Sequence, residues 1–409
     1  MNSIDFSTDW QFAYAQSEQW SNHYIKLDYS PVNLPHDFRI GLERNENSLS
    51  GTSEGYYPGG VGYYRKTFLA DKEMLSQRVL LFFDGVYRMC EVRLNNNIVA
   101  VHKGGYTGFF ADLTGRLSEG ENTISVKVNA TMLPASRWYT GAGIYRKVTM
   151  YTGSIPSVEP WGTAVETLPG TLTSQNADIR IKSKIYNPDT ISCNVRYEIF
   201  DPEGNIAAEG CLESVGSEAE TIISIPNPRL WDADTPYLYT LKTTVEAEGI
   251  TATPSYTRFG IRTIKVDAEN GLLINGRKVL LKGGCIHHDN GLLGSAAYPA
   301  AERRRIMKLK ENGYNAIRCS HNPPSTVLLD ACDELGMYVI DEAFDSWREG
   351  KRLNDEHIFF ELLWKEELHS MIMRDRNHPS IIMWSTGNEV MERSGLSDGA
   401  AWSKKLADA

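Results

Sequence analysis

The chain has 409 residues, with 41% hydrophobic and 23% charged side chains, which is too long for one hydrophobic core and ordinary for a soluble globular protein. A formal net charge of −10 argues against nucleic acid as the main partner, and no apolar run approaches the ~20 residues that span a bilayer. The six cysteines are scattered without a CxxC pair, which suits neither a zinc site nor a disulfide framework and predicts reduced thiols.

Met1-Asn2-Ser3-Ile4-Asp5 shows no basic segment followed by an apolar one, so no signal peptide is visible and the location stays open between cytoplasm and periplasm. Residues 1–154 then read as β. Alternating runs such as Val79-Leu80-Leu81-Phe82-Phe83 and "TISVKV" (123–128) lie between turn signals, and "EVRLNNNIVAVH" (91–102) is two strands around an Asn-rich turn. No good helical period appears, and a jelly-roll sandwich fits. Residues 155–265 carry a second set of period-2 strands, among them "DIRIKSKIYN" (178–187) and "CNVRYEIFD" (193–201). Their size and spacing suit an immunoglobulin-like sandwich.

From 266 to 409 the pattern changes. "LLINGRKVLLKGG" (272–284) reads as a hairpin turning at Asn275-Gly276 and leading into a strand Val279-Leu280-Leu281. Helices follow at about 300–312 and 325–335, each closed by a glycine, with strands 315–317 and 338–340 after them. A third helix, about 360–374, puts Phe360, Leu363, Trp364, Leu368, Met371 and Ile372 on one face, and Ile381-Ile382-Met383-Trp384 is the fourth strand. Only the start of a fourth helix, about 398–409, fits in what remains. Strand and helix alternate, so the sheet is expected to be parallel: the first four βα units of a truncated (β/α)8 TIM barrel.

Polar residues gather after each of these strands: His287, His288 and Asp289; Arg318, Ser320, His321 and Asn322; Asp341 and Glu342; Asn388 and Glu389. That edge is where barrels keep their active sites. The bland readings are loop histidines, a solvated strand end at Asp341-Glu342, and an Arg318 that merely pairs with one of those acids. Four clusters in register favour a site. Glycosidic hydrolysis needs one carboxyl group that donates a proton and one that attacks or activates water, and Glu389 suits the donor if it is partly buried. A metallohydrolase using His287, His288, Asp289 and His321 is the rival, weakened because barrel metal sites favour His-x-His on a strand. The 20 Tyr and 9 Trp suit stacking on sugars, but read better as sandwich core.

Taken together, the chain resembles glycoside hydrolase family 2, the family of β-galactosidases, β-glucuronidases and β-mannosidases. The resemblance runs through "VNLPHDF" (32–38), "GGVGYYRKTF" (59–68), "FFDGVYRMCEVRLNNNIVAVHKGGYTGFFADLT" (82–114), "SRWYTGAGIYRKV" (136–148), "LWDADTPYLYTL" (230–241), "RFGIRTI" (258–264), "LLKGGCIHHDNG" (280–291), "NAIRCSHNPPS" (315–325), "VIDEAFDSW" (339–347) and "HPSIIMWSTGNEV" (378–390). It implies a galactose-binding-like jelly roll, an immunoglobulin-like sandwich and a catalytic barrel. It further implies Glu389 as acid/base, Asn388 on the hydroxyl next to the anomeric carbon, and Arg318 steadying the carboxylates. His287, Asp289 and His321 would line the sugar pocket, with Trp384 under the site.

The chain departs from many relatives in reading His287-His288-Asp289 after the first strand, and in showing no evident sugar-binding Asp near Arg137-Trp138. The family's nucleophile lies after a seventh strand, so these residues are expected to be inactive alone. The implied function is a retaining exo-β-glycosidase, most readily a β-galactosidase, acting on an oligosaccharide or glycoside. The alternatives are a β-glucuronidase or β-mannosidase, or a non-catalytic carbohydrate-binding protein. A divalent cation (Mg2+) near the acid/base, with help from Asp341 and Glu342, and a homo-oligomer are left open.

Overall fold

A computed structural model describes residues 1–18 and 27–409. The first sandwich packs a six-stranded antiparallel sheet, in the order 30–32, 10–15, 61–70, 120–129, 89–94, 97–102, on a four-stranded one, in the order 2–5, 148–153, 78–83, 109–112. Period-2 alternation builds the core. Along Gly120–Asn129, Ile124, Val126 and Val128 point inward to meet Trp10, Leu81, Phe83, Val92 and Met150. The Asn-rich turn is present, with Asn95 and Asn96 at φ 47 and 70, the left-handed conformations that a tight hairpin demands. One short helix, Lys72–Ser76, was not foreseen; Asp71 caps it by accepting a hydrogen bond from the Met74 amide.

The second sandwich sets a three-stranded sheet (157–167, 176–186, 218–226) against a four-stranded one (206–215, 193–200, 239–246, 255–259) around Ile179, Ile181, Val195, Tyr197, Ile199 and Leu241. A small sheet with its turn at Asn275-Gly276 follows, as the sequence suggests. Then four parallel strands, Gly283–Ile286, Ala316–Cys319, Tyr338–Glu342 and Ile381–Ser385, lie side by side in chain order. The helices Pro299–Glu311, Thr326–Leu335 and His357–Asp375 run between them, and Gly399–Ala407 follows the last.

The first barrel strand is the main correction. It is Gly283–Ile286, not Val279–Leu281, although the latter is the apolar run. The Val279 amide still closes the hairpin on the Leu272 carbonyl. Asn315 then grips both sides of the next stretch, accepting from the Lys282 amide and donating to the Leu280 carbonyl. Glycine is needed where pairing starts, because a Cβ on Gly283 would stand 2.4 Å from the Ala316 carbonyl oxygen. Leu280 is left 70% exposed.

Both sandwiches are tied to the barrel by buried polar contacts. Arg146, 1% exposed, donates to the Pro323 and Pro324 carbonyls just after the second strand. Asp84 accepts from Arg374 at 3.1 Å. Trp231 of the second sandwich, fully buried, donates its indole N–H to the Asp333 carbonyl at 2.9 Å. At the same foot of the barrel, His378 Nδ1 and Asp333 Oδ2 are 2.6 Å apart.

Burial alone would lower the His378 pKa, but the Asp333 carboxylate overrides it and raises the value from 6.5 to about 9. A histidine raised in the fold contributes stability that is complete below pH 6.5 and is lost as pH rises through 9. His378→Gln is therefore expected to lower the unfolding free energy by about 2 kcal/mol at pH 6, by progressively less as pH rises above 6.5, and by almost nothing beyond 9, in denaturant titrations at fixed temperature.

Candidate active site

The C-terminal ends of the second, third and fourth barrel strands converge on Glu342. Its carboxylate is fully buried and receives four hydrogen bonds: Arg318 Nε at 3.0 Å and Nη2 at 2.5 Å, Ser385 Oγ at 2.6 Å, and His321 Nδ1 at 2.5 Å. Burial pushes this acid up, but the bonds from His321, Ser385 and Arg318 outweigh it and hold the carboxyl below the usual range. Of the two acids considered as partners for Arg318, Glu342 is the one it pairs with.

Asp341 goes the other way. Alternation along Tyr338–Glu342 turns it to the helix side, where burial and the Asp375 carboxylate push its pKa well above the ordinary value. Asp341 and Glu342 thus face opposite sides of one strand and cannot share an ion. Glu342 is already saturated with donors, so a divalent cation finds no donor set in this pair. Among the described residues, the His/Cys/Asp/Glu cluster close enough to hold a metal is Asp330, Asp333 and His378, at the opposite end of the sheet, with Asp330 paired to Arg258 and His378 to Asp333.

The rival histidine metal site does not form either. His288 is half-buried against Tyr106 and Tyr145 with its Nε2 on the Thr140 carbonyl, while His321 Nδ1 is on Glu342. His287 and His321 do come together, 5.7 Å between ring centroids, and Trp138 of the first sandwich lies 4.8 Å from one and 5.7 Å from the other. Asp289 is half-buried beside His287, and Arg305 reaches back to the backbone carbonyls of both.

Asn388, 3% exposed, links this cluster to a second one. Its Oδ1 accepts from Arg318 Nη2 at 3.1 Å and its Nδ2 donates to Asp345 Oδ1 at 2.9 Å. Lys351 Nζ bonds both Asp345 Oδ1 at 2.8 Å and the Asn388 carbonyl at 2.6 Å, and Arg137 Nη2 reaches Asp345 from the first sandwich at 2.8 Å. Burial would raise the Asp345 pKa, yet its bonds to Arg137, Lys351 and Asn388 hold it below the ordinary value.

Glu389 follows directly, and here the structure departs from the expectation of a partly buried donor. Its side chain is 62% exposed, with Oε2 3.8 Å from Arg137 Nη1. Its backbone sits at φ 42, a left-handed conformation that costs a non-glycine residue about 1 kcal/mol or more. The Asn388 amide on the Phe344 carbonyl, with the Lys351 bond, holds the turn that imposes it. The carboxylate therefore leaves the strand end and points to open solvent at the mouth. Trp384 is not brought under the site. Ser385 turns inward to Glu342, so alternation sets Trp384 on the opposite face of its strand, 38% exposed.

The sequence reading did not single out Arg137, Trp138, Asp345, Lys351 or Ser385. Asp345 carried a signal, a third acid four residues after Asp341 in the loop beyond the strand. Arg137 carried none, since its partner lies 208 residues away.

The chain matches three family descriptions: "Glycosyl hydrolases family 2, sugar binding domain" over residues 14–154, "Glycosyl hydrolases family 2" over 166–262, and "Glycosyl hydrolases family 2, TIM barrel domain" over 264–409. It is 39% identical to the β-galactosidase BoGH2A of Bacteroides ovatus, over 99% of this chain and 47% of that protein. It is 32% identical to a putative β-glucuronidase of Formosa agariphila, over 94% of this chain and 37% of that protein. A crystal structure of a glycosyl hydrolase family 2 member from Bacteroides cellulosilyticus superposes with a TM-score of 0.93 at 37% identity, covering 99% of this chain and 54% of that one. A β-glycosidase from Bacteroides vulgatus gives 0.88 at 31%, covering 98% and 52%. The chain spans about half the length of these relatives.

Proposed function

This chain belongs to glycosyl hydrolase family 2, and from that premise we propose that its full-length protein is a retaining exo-β-glycosidase, first of all a β-galactosidase, with Glu389 as the acid/base. The observation that carries the reading is Glu389 itself: an open carboxylate on a strained turn, next to an Asn388 whose amide is fixed by Arg318 and Asp345. An acid that must first give a proton to a departing oxygen and then take one from water needs such an open position on a fixed backbone.

Asn388 and Arg318 orient the sugar ring's polar groups. His287, His321 and Trp138 form a polar and aromatic wall for the terminal sugar, with Asp289 at its margin. Excluding water around a bound sugar would then supply the burial that Glu389 lacks in the open site. The 39% identical relative named a β-galactosidase, against 32% for one named a putative β-glucuronidase, puts galactosides ahead of glucuronides.

The test is hydrolysis of aryl β-galactoside, β-glucuronide and β-mannoside by the full-length protein, with the released sugar followed by NMR. Galactoside turnover with the β-anomer appearing first is expected. The 409 residues alone are expected to turn over nothing, because the family's nucleophile belongs to a seventh strand. An α-anomer released first would contradict the retaining reading, and no hydrolysis of any of the three would leave the non-catalytic carbohydrate-binding alternative.

A further inference from the structure

Arg137 comes from the first sandwich, in the segment "SRWYTGAGIYR", yet its guanidinium reaches the barrel mouth. One edge is held: Nη2 donates to Asp345 Oδ1 at 2.8 Å, and Asp345 is in turn held by Lys351 and Asn388. The guanidinium carbon lies 5.8 Å from the Trp138 ring centroid. The other edge, Nη1, stands 3.8 Å from Glu389 Oε2, beyond hydrogen-bonding distance but well within Coulomb range. A guanidinium does not deprotonate in a protein, so this is a constant cation on a fixed mount. In the open mouth the attraction is screened, since the two side chains are 34% and 62% exposed. A bound sugar expels that water, and the same charge then counts for more.

We propose that Arg137 is a positioning residue for proton transfer by Glu389, delivered by the first sandwich so that a fixed cation meets the charge that grows on that carboxylate as its proton leaves. The inference rests on the reading of Glu389 as acid/base. In the step, the Glu389 O–H bond breaks and the proton goes to the glycosidic oxygen. The C–O bond breaks with its electron pair staying on that oxygen, while a second carboxylate of the full-length enzyme bonds to the anomeric carbon. Negative charge accumulates on Glu389 in proportion to how far the proton has moved. Arg137 therefore matters most for poor leaving groups, which need the proton, and least for phenolates, which leave without it. Asp345 and Lys351 act one step further out, by keeping the guanidinium from swinging into solvent.

The test uses the full-length enzyme with an alkyl β-galactoside and an activated aryl β-galactoside. Arg137→Gln should cut kcat/KM about 10- to 100-fold for the alkyl substrate and less than about 3-fold for the aryl one, with Arg137→Lys recovering part of the loss. In a Glu389→Gln background the Arg137→Gln change should cost nothing further, because its route has gone. An equal loss with both leaving groups, or a full further loss in that background, would overturn this inference while leaving Glu389 in its role. Unchanged alkyl-galactoside turnover in Glu389→Gln alone would instead overturn the acid/base reading, and this inference with it.

Discussion

Glu389→Gln in the full-length enzyme is expected to lower kcat/KM for an alkyl β-galactoside about 10³-fold, while an activated aryl galactoside keeps its first, glycosylation step largely intact. The split follows from the proton donation proposed for the residue. An alkoxide is a poor leaving group and must receive a proton as the bond breaks, whereas a stabilised phenolate need not. The aryl substrate should instead stall at the second step, where the carboxylate is needed to take a proton from water. A burst of phenolate followed by slow turnover is the expected trace. The side chain is 62% exposed and, among the described residues, makes no hydrogen bond, so the change should leave stability within about 0.5 kcal/mol. Loss of activity can then be read as lost chemistry.

Glu342→Gln should behave in the opposite way, damaging the structure first. The carboxylate is fully buried and satisfies Arg318, His321 and Ser385 at once. An amide of the same shape removes the charge that balances Arg318 and turns a donor toward other donors. The cost is about 2–4 kcal/mol of stability, a little under the ~3–5 kcal/mol for breaking a fully buried pair because Arg318 is 32% exposed. Arg318 would then be free to drift, and with it the Asn388 amide that it fixes, so activity should also fall about 100-fold.

The pH dependence has a definite sign. A carboxyl held below its ordinary value contributes stability that is fully present above the unfolded-state pKa, about 4.3, and lost as pH falls through the folded value. The gap between wild type and variant should therefore be constant from pH 5 to 7 and narrow in acid. A gap that widened in acid would contradict the assignment of Glu342 as the ionised partner of Arg318.

The alternation of strand and helix was legible because each helix ends on a glycine or a sharp polar break and each strand after the first contains a short apolar run. The same regularity put the polar strand ends on one edge, where the structure also gathers them. What failed was register. Val279–Leu281 is more apolar than Gly283–Ile286, but close approach to the Ala316 carbonyl requires glycine at 283. Asp341 and Glu342 looked like a pair in the sequence, though alternation alone should have separated them.

Glu389 was expected to be partly buried, as a proton donor with a raised pKa would be. The left-handed turn at the strand end, invisible in composition, carries it out to the mouth. The residue contacts made by the first sandwich were not legible: Trp138 and Arg137 meet their partners across 149 to 252 residues of chain, and no local pattern encodes a contact of that range.

The central claim is that Glu389 alone handles the travelling proton. It is tested most directly by giving Glu389→Ala an anionic nucleophile that needs no base, namely azide, together with an activated aryl β-galactoside. Azide is expected to restore turnover with the β-galactosyl azide as product, because the sugar already bound to the enzyme is intercepted from the face that water would use. A variant whose turnover ignores azide, or one that keeps hydrolysing alkyl galactosides as the wild type does, would contradict it.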